Sequence, residues 1–153
     1  MWEAFQRFRT LDSNAQKTFG RAVIFLPWVM VSLRLRGFNK TRARLQQKLA
    51  RVPQTADPSP GPIVQTVCRV VKAAGHYGLV HPNCLEESLV LWYFLRLQNV
   101  PAALRIGVRK SQGQFEAHAW VEYLGTALNQ GEWTHPHYAA FEAEFSQLPG
   151  ENA

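Results

Sequence analysis

Over the first fifty residues the apolar positions fall at three- and four-residue steps, as in Phe5, Phe8 and Leu11 and again in Val23, Leu26, Met30 and Leu33. This spacing predicts two or three amphipathic helices, with Asp12-Ser13 as a cap. A further helix is expected after Gly37, starting at Asn39-Lys40-Thr41 and running through Leu45 and Leu49 with Arg42, Arg44 and Lys48 outside. Between Val52 and Pro62 the pattern stops at Pro53, Pro58, Pro60 and Pro62, which fix φ and remove backbone donors, so a linker is expected. Helical spacing resumes in Ile63, Val67, Val70, Val71 and Ala74 and is expected to end at Gly75 and Gly78, with Cys68 inside as a small buried hydrophobe. Asn83 followed three residues later by Glu86 has the form of a capping box opening a helix over 84–98. The apolar residues Leu85, Leu89, Leu91, Trp92 and Leu95 predict that this helix is nearly surrounded, and Asn99-Val100-Pro101 ends it. Beyond Pro101 the period falls to two, with Leu104, Ile106 and Val108 alternating against Arg105, Gly107 and Arg109. A Ser111-Gln112-Gly113 turn, a second strand over 115–123, a Leu124-Gly125 turn and a third strand over 126–130 complete an antiparallel meander. The expected fold class is therefore α+β.

Composition limits the size and setting of this fold. At 153 residues and 46% hydrophobic, the chain suits one globular domain able to bury a core. It divides into a helical segment 1–52, a Pro-rich linker 53–62 and a core 63–153. Two cysteines are too few for a disulfide framework and the N-terminus lacks the order of a secretory signal, so reduced thiols and a cytoplasmic location are expected. The apolar stretch 22–33 falls short of the roughly 20 residues that span a bilayer and reads as buried or interfacial. The net charge of +6 is uneven: residues 1–52 carry 11 of the 17 Lys+Arg against Glu3 and Asp12. Such a segment can dock an acidic partner, nucleic acid or anionic lipid, although a solvated helical face beside an apolar one is the plainer reading.

Candidate chemistry centres on two residues. A cysteine nucleophile needs a lowered thiol pKa, and Cys84, first in its helix, sits in the field of unpaired backbone N–H groups; its own N–H can help hold an oxyanion. Glu86 and Glu87 in the same turn act against thiolate formation, so an imidazole base is required. His118, flanked by Ala117 and Ala119 in an otherwise well-packed strand, is the best supplier. A metal site from Cys84, His118, His135 and His137 lacks any supporting CxxC or HExxH spacing; His135-Pro136-His137 reads instead as a polar C-terminal loop near the cleft. His76 and His81 flank the loop before Cys84 and are expected to face water.

The wording of residues 84–130 adds a family resemblance. Cys84-Leu85-x-x-Ser88-Leu89, then Asn99-Val100-Pro101-Ala102-x-Leu104-Arg105-Ile106-Gly107-Val108, then Phe115-x-Ala117-His118-Ala119-Trp120-Val121-Glu122 and Gly125-x-x-x-Asn129 resemble the transglutaminase-like core of the B2 proteins, the leader peptidases of bacterial lasso peptide biosynthesis. The resemblance implies a papain-like cysteine protease core, its nucleophile helix packed on an antiparallel sheet and preceded by an N-terminal helical segment. It implies a hydrolase that removes the leader from a ribosomally synthesised (RiPP) precursor peptide and exposes the core N-terminus for macrolactam formation by a partner cyclase. Cys84 would be nucleophile and His118 base, with no cofactor and no metal. The implied partners are the precursor, a leader-binding B1 protein and the lasso cyclase; nucleic-acid contact is not expected, and membrane contact is a lesser alternative.

One position departs from the family. Where an acidic triad member is usual, this chain has Gln130, whose amide can orient the imidazole but carries no charge. A two-residue loop at Leu124-Gly125 would pair Trp120 with Asn129 and offer Asn129 as third member; a three-residue loop would pair Trp120 with Gln130. The second register is preferred, because Gln130 holds the family's acidic position. A catalytically weak or inactive module that binds precursor or partner is the competing function.

Overall fold

The computed structural model describes residues 13–52, 60–111, 114–129 and 139–140. Helix α1 runs over Ser13–Leu49, but Gly37 interrupts it at φ 76°, ψ 174°, a conformation open to glycine at no steric cost. The chain reverses there. Trp28 on the first arm lies under the Lys48 ammonium of the second at 5.2 Å, and the buried hydroxyls of Ser32 and Thr41 meet at 3.0 Å. The expected third helix is thus the second arm of a helical hairpin. The cap proposed at Asp12 lies outside the described residues.

Helix α2, Pro60–Tyr77, begins three residues before the expected Ile63, since Pro60 and Pro62 fall in a first turn whose N–H groups have no intrahelical partners to lose. The rest of the proposed linker, 53–59, lies outside the described residues. α2 continues through Gly75 and stops before Gly78, where a β-carbon would stand 2.1 Å from the Ala74 carbonyl oxygen. Helix α3, Cys84–Leu97, ends as the sequence suggests: Asn99 takes φ 60°, its N–H bonds to Arg96 and that of Val100 reaches back to Leu95.

All three helices share one core. Leu26, Val29 and Leu45 of α1, Val67, Val70 and Val71 of α2, and Leu89 to Leu95 of α3 are buried together, and Phe25 stacks on Trp28 and on Tyr93 with ring centres 5.2 and 5.0 Å apart. α3 is apolar on almost all sides because helices enclose one flank and the sheet the other.

The sheet contains β1 (Ala103–Ser111), β2 (Gln114–Tyr123), β3 (Thr126–Ala127) and β4 (Ala139–Ala140) in the order β3-β2-β1-β4. β1 and β2 form the expected hairpin, with Gly107 opposite His118 and Ser111 opposite Gln114. Leu104, Val121 and Tyr123 pack against the helical core. Two points differ from the sequence reading. β3 stops at Ala127 instead of reaching residue 130, and β4 adds a strand beside Gly107 and Val108 of β1. Helices on one side of a small antiparallel sheet give an α+β fold.

Candidate functional site

The start of α3 is built by its cap. Asn83 is extended (φ −78°, ψ 175°), and its Oδ1 accepts the N–H groups of Leu85 and Glu86, each at 3.0 Å. The Glu86 carboxylate accepts the Asn83 N–H at 2.8 Å, and the Asn83 carbonyl accepts the Glu87 N–H at 3.0 Å. The capping box read from sequence is present in full. These bonds use the donors of residues 83, 85, 86 and 87. Among the described residues none accepts the N–H of Cys84, which leaves an amide donor beside its own half-buried thiol at the positive end of the helix. An oxyanion formed on a carbonyl at this sulfur could be held by that amide.

Cys68 offers the contrast. Burial within α2 is the main cause that pushes its thiol up to about 11, with the Glu87 charge adding to it, so it stays protonated and unreactive at neutral pH. Burial also raises the Glu87 carboxyl above its ordinary value, while the ammonium of Lys72 pulls it part of the way back.

A buried clasp fixes α3 against β2. The Ser88 hydroxyl donates to the Ala119 carbonyl at 3.0 Å and accepts from Asn129 Nδ2 at 2.7 Å, while Asn129 Oδ1 accepts the Val121 N–H at 2.9 Å. Ser88 lies one turn after Cys84 on the same helix face, and Ala119 directly follows His118. The clasp therefore ties the second turn of the Cys84 helix to the β2 backbone next to His118. Alternation along β2 places His118 on the face of Trp120, the two rings stacked with centres 6.4 Å apart, and opposite Gly107, where no side chain intrudes.

This clasp corrects the expected register. Tyr123 pairs with Thr126 and Glu122 with Ala127, so Leu124-Gly125 is a two-residue loop and not the three-residue loop preferred from sequence. Both loop residues have positive φ, 49° and 77°, the geometry of a type I′ turn. The Leu128 N–H still bonds the Val121 carbonyl at 2.8 Å, but the Val121 N–H goes to the Asn129 side chain instead of a strand carbonyl, and the ladder ends. Asn129 is thus turned to Ser88 and Val121, a structural part that sequence reasoning missed. The available signal was Ser88 itself, a hydroxyl on a helix expected to be nearly surrounded, which required buried partners. Gln130 lies outside the described residues, as do His135 and His137.

Beside the site, His76 and His81 are exposed yet line a depression of about 590 Å³ with Arg69, Lys72 and Glu87. It borders the first turn of α3 through Glu87 and includes neither Cys84 nor His118. Among the described residues no three His, Cys, Asp or Glu side chains group as a metal site would require.

No curated protein and no solved structure matches the chain. A family model described as the transglutaminase-like superfamily matches residues 27–142, a span that takes in the end of the hairpin's first arm, its second arm, α2, the Cys84 helix and all four strands. The chain belongs to the transglutaminase-like superfamily.

Proposed function

We propose that the protein is a cysteine peptidase that removes the leader from a ribosomally made lasso peptide precursor. The observation that carries the chemical part is the start of α3, where a full capping box leaves the Cys84 amide open beside its thiol and the Ser88 clasp ties that helix to the strand of His118. Cys84 Sγ attacks the scissile carbonyl, and the Cys84 N–H and the helix dipole stabilise the oxyanion. His118 takes the thiol proton and returns it to the departing amine; water then releases the acyl group. Bonds of this kind tighten when substrate arrives. The two-residue loop favours Asn129 by register, but its amide is engaged with Ser88 and Val121, so Gln130, at the family's acidic position, is the proposed orienting group for the imidazole. The narrower part of the proposal, the lasso leader as substrate with a B1 protein and a cyclase as partners in the cytoplasm, rests on the sequence resemblance across residues 84–130.

The test is co-expression with a precursor and its leader-binding protein, read by mass spectrometry. Leader loss with the natural chain, absent with Cys84→Ala and His118→Ala, supports the proposal; full cleavage by Cys84→Ala overturns it. The amide at position 130 favours a second reading, a binding module with little or no turnover. Iodoacetamide separates the two, since a poised Cys84 thiolate reacts quickly at neutral pH and loses that rate in His118→Ala, whereas an unactivated thiol is indifferent to His118.

A further inference from the structure

The outer face of α1 has no use in the site. Ile24, Val31 and Leu35 are 73%, 55% and 78% exposed, and their spacing of seven and four residues aligns them along one side of the first arm. Trp28 lies between them at the edge of this line. α1 contains a stretch long and apolar enough by composition to cross a membrane, of which only 22% is buried. Its opposite side, with Ala15, Ala22, Leu26 and Val29 at most 3% exposed, is sealed against the other helices, so the helix is placed to lie on a bilayer and not to pass through one.

Charge decides what can cover this face. Residues 13–52 contain nine Lys+Arg and no Asp or Glu. Lys17, Arg21, Arg34 and Arg36 are exposed around the apolar line. Next to it, Trp28, Arg36, Arg44, Gln47, Lys48 and Arg51 enclose a depression of about 390 Å³ between the two arms, with four cationic side chains and no acid in its wall. A protein partner would need a groove to receive a straight convex ridge and would ordinarily pattern both signs of charge against it. A fluid sheet of uniformly anionic headgroups meets both conditions: it yields to the ridge, and its phosphates suit the basic depression.

We propose that the helical hairpin is a docking surface for an anionic membrane, with Ile24, Val31 and Leu35 entering the headgroup boundary and a lipid phosphate seated between Arg36, Arg44, Lys48 and Arg51. The proposal is independent of the peptidase reading, because it uses no residue of the Cys84 site.

Vesicle co-sedimentation of the whole chain tests it. The protein should partition onto vesicles of phosphatidylglycerol and phosphatidylcholine, stay in solution with phosphatidylcholine alone, and be released by high salt. Arg36→Gln, Arg44→Gln and Lys48→Gln together should weaken partition about a hundredfold, and Ile24→Glu with Leu35→Glu about tenfold or more. All five positions are exposed, and far-UV circular dichroism of each variant should match that of the parent. Equal binding to both vesicle types, or none to either, overturns the proposal. So does capture of soluble poly-glutamate or inorganic phosphate without vesicle binding, which would assign the basic depression to a soluble acidic ligand.

Discussion

The Cys84 region and the N-terminal hairpin organise their polar groups in opposite ways. Around Cys84 polar atoms are paired, locally as Asn83 with Glu86 and across the fold as Ser88 with Ala119 and Asn129. In the hairpin the inside is mostly apolar around the Ser32–Thr41 contact, and apart from the partly buried Arg42 the charges face out. Buried, fully paired polar networks specify one geometry and are costly to disturb. Outward charges set what the molecule meets and tolerate change. One region is built to hold atoms in place, the other to present a surface.

The largest effect expected from this contrast is on the thiol. Cys84→Ala should abolish peptide hydrolysis and remove all rapid alkylation at neutral pH while leaving thermal stability near that of the parent; Cys68→Ala should leave alkylation unchanged, because that thiol stands at about 11. Peptide mapping after brief iodoacetamide treatment reads this directly. Modification at Cys68 first would break the assignment.

Next comes the clasp. Ser88→Ala deprives Asn129 Nδ2 of its acceptor and the Ala119 carbonyl of a donor, and should lower stability by about 2 kcal/mol. Urea denaturation measures it, and a double-mutant cycle with Asn129→Ala should show strong coupling. Additive effects of the two would mean that the clasp is not a unit.

Leu124 should respond in the other direction. It is 82% exposed and held at φ 49°, where a β-carbon is strained, so Leu124→Asn should raise the urea midpoint by an amount corresponding to about 0.5–1 kcal/mol. A loss would argue for the three-residue loop.

Glu87 gives a smaller, pH-dependent effect. Its folded-state carboxyl is raised, so the folded chain binds its proton more readily than the unfolded chain and this contribution to stability is lost as pH rises through the folded value. Glu87→Gln should therefore stabilise the protein at neutral pH, with the gain disappearing in acid below the ordinary carboxylate range. Urea midpoints at both pH values test the sign.

The smallest effect belongs to the hairpin. Ser32→Ala with Thr41→Val removes both partners of a buried contact together and should be close to neutral, in contrast to Ser88→Ala. A loss as large as that at Ser88 would erase the distinction between the regions.

What could be read from the sequence follows the range of the interactions. The Asn83–Glu86 box spans three residues, and the hairpin arm after Gly37 and the β1–β2 pairing rest on local periodicity, so each was visible in composition and spacing. The Ser88–Asn129 bond joins residues 41 apart and leaves no periodic trace. β4 consists of Ala139 and Ala140, too short and too plain to declare a strand. The register after Leu124-Gly125 was misjudged because the choice rested on the family's acidic position at Gln130, and nothing nearby in the chain announces that a side-chain amide will finish the sheet.

The reversal at Gly37 also bears on the order in which the chain acquires structure. Ser32 and Thr41 are nine residues apart, whereas Ser88 must wait for Asn129. Closing short loops costs less entropy and happens sooner than forming distant pairs. During synthesis the cationic hairpin is expected to be complete while the strands that position His118 are still emerging. The molecule would then have its cationic surface before the strands around His118, an order that pulse-labelled hydrogen exchange would register as protection of the α1 amides ahead of those of β2.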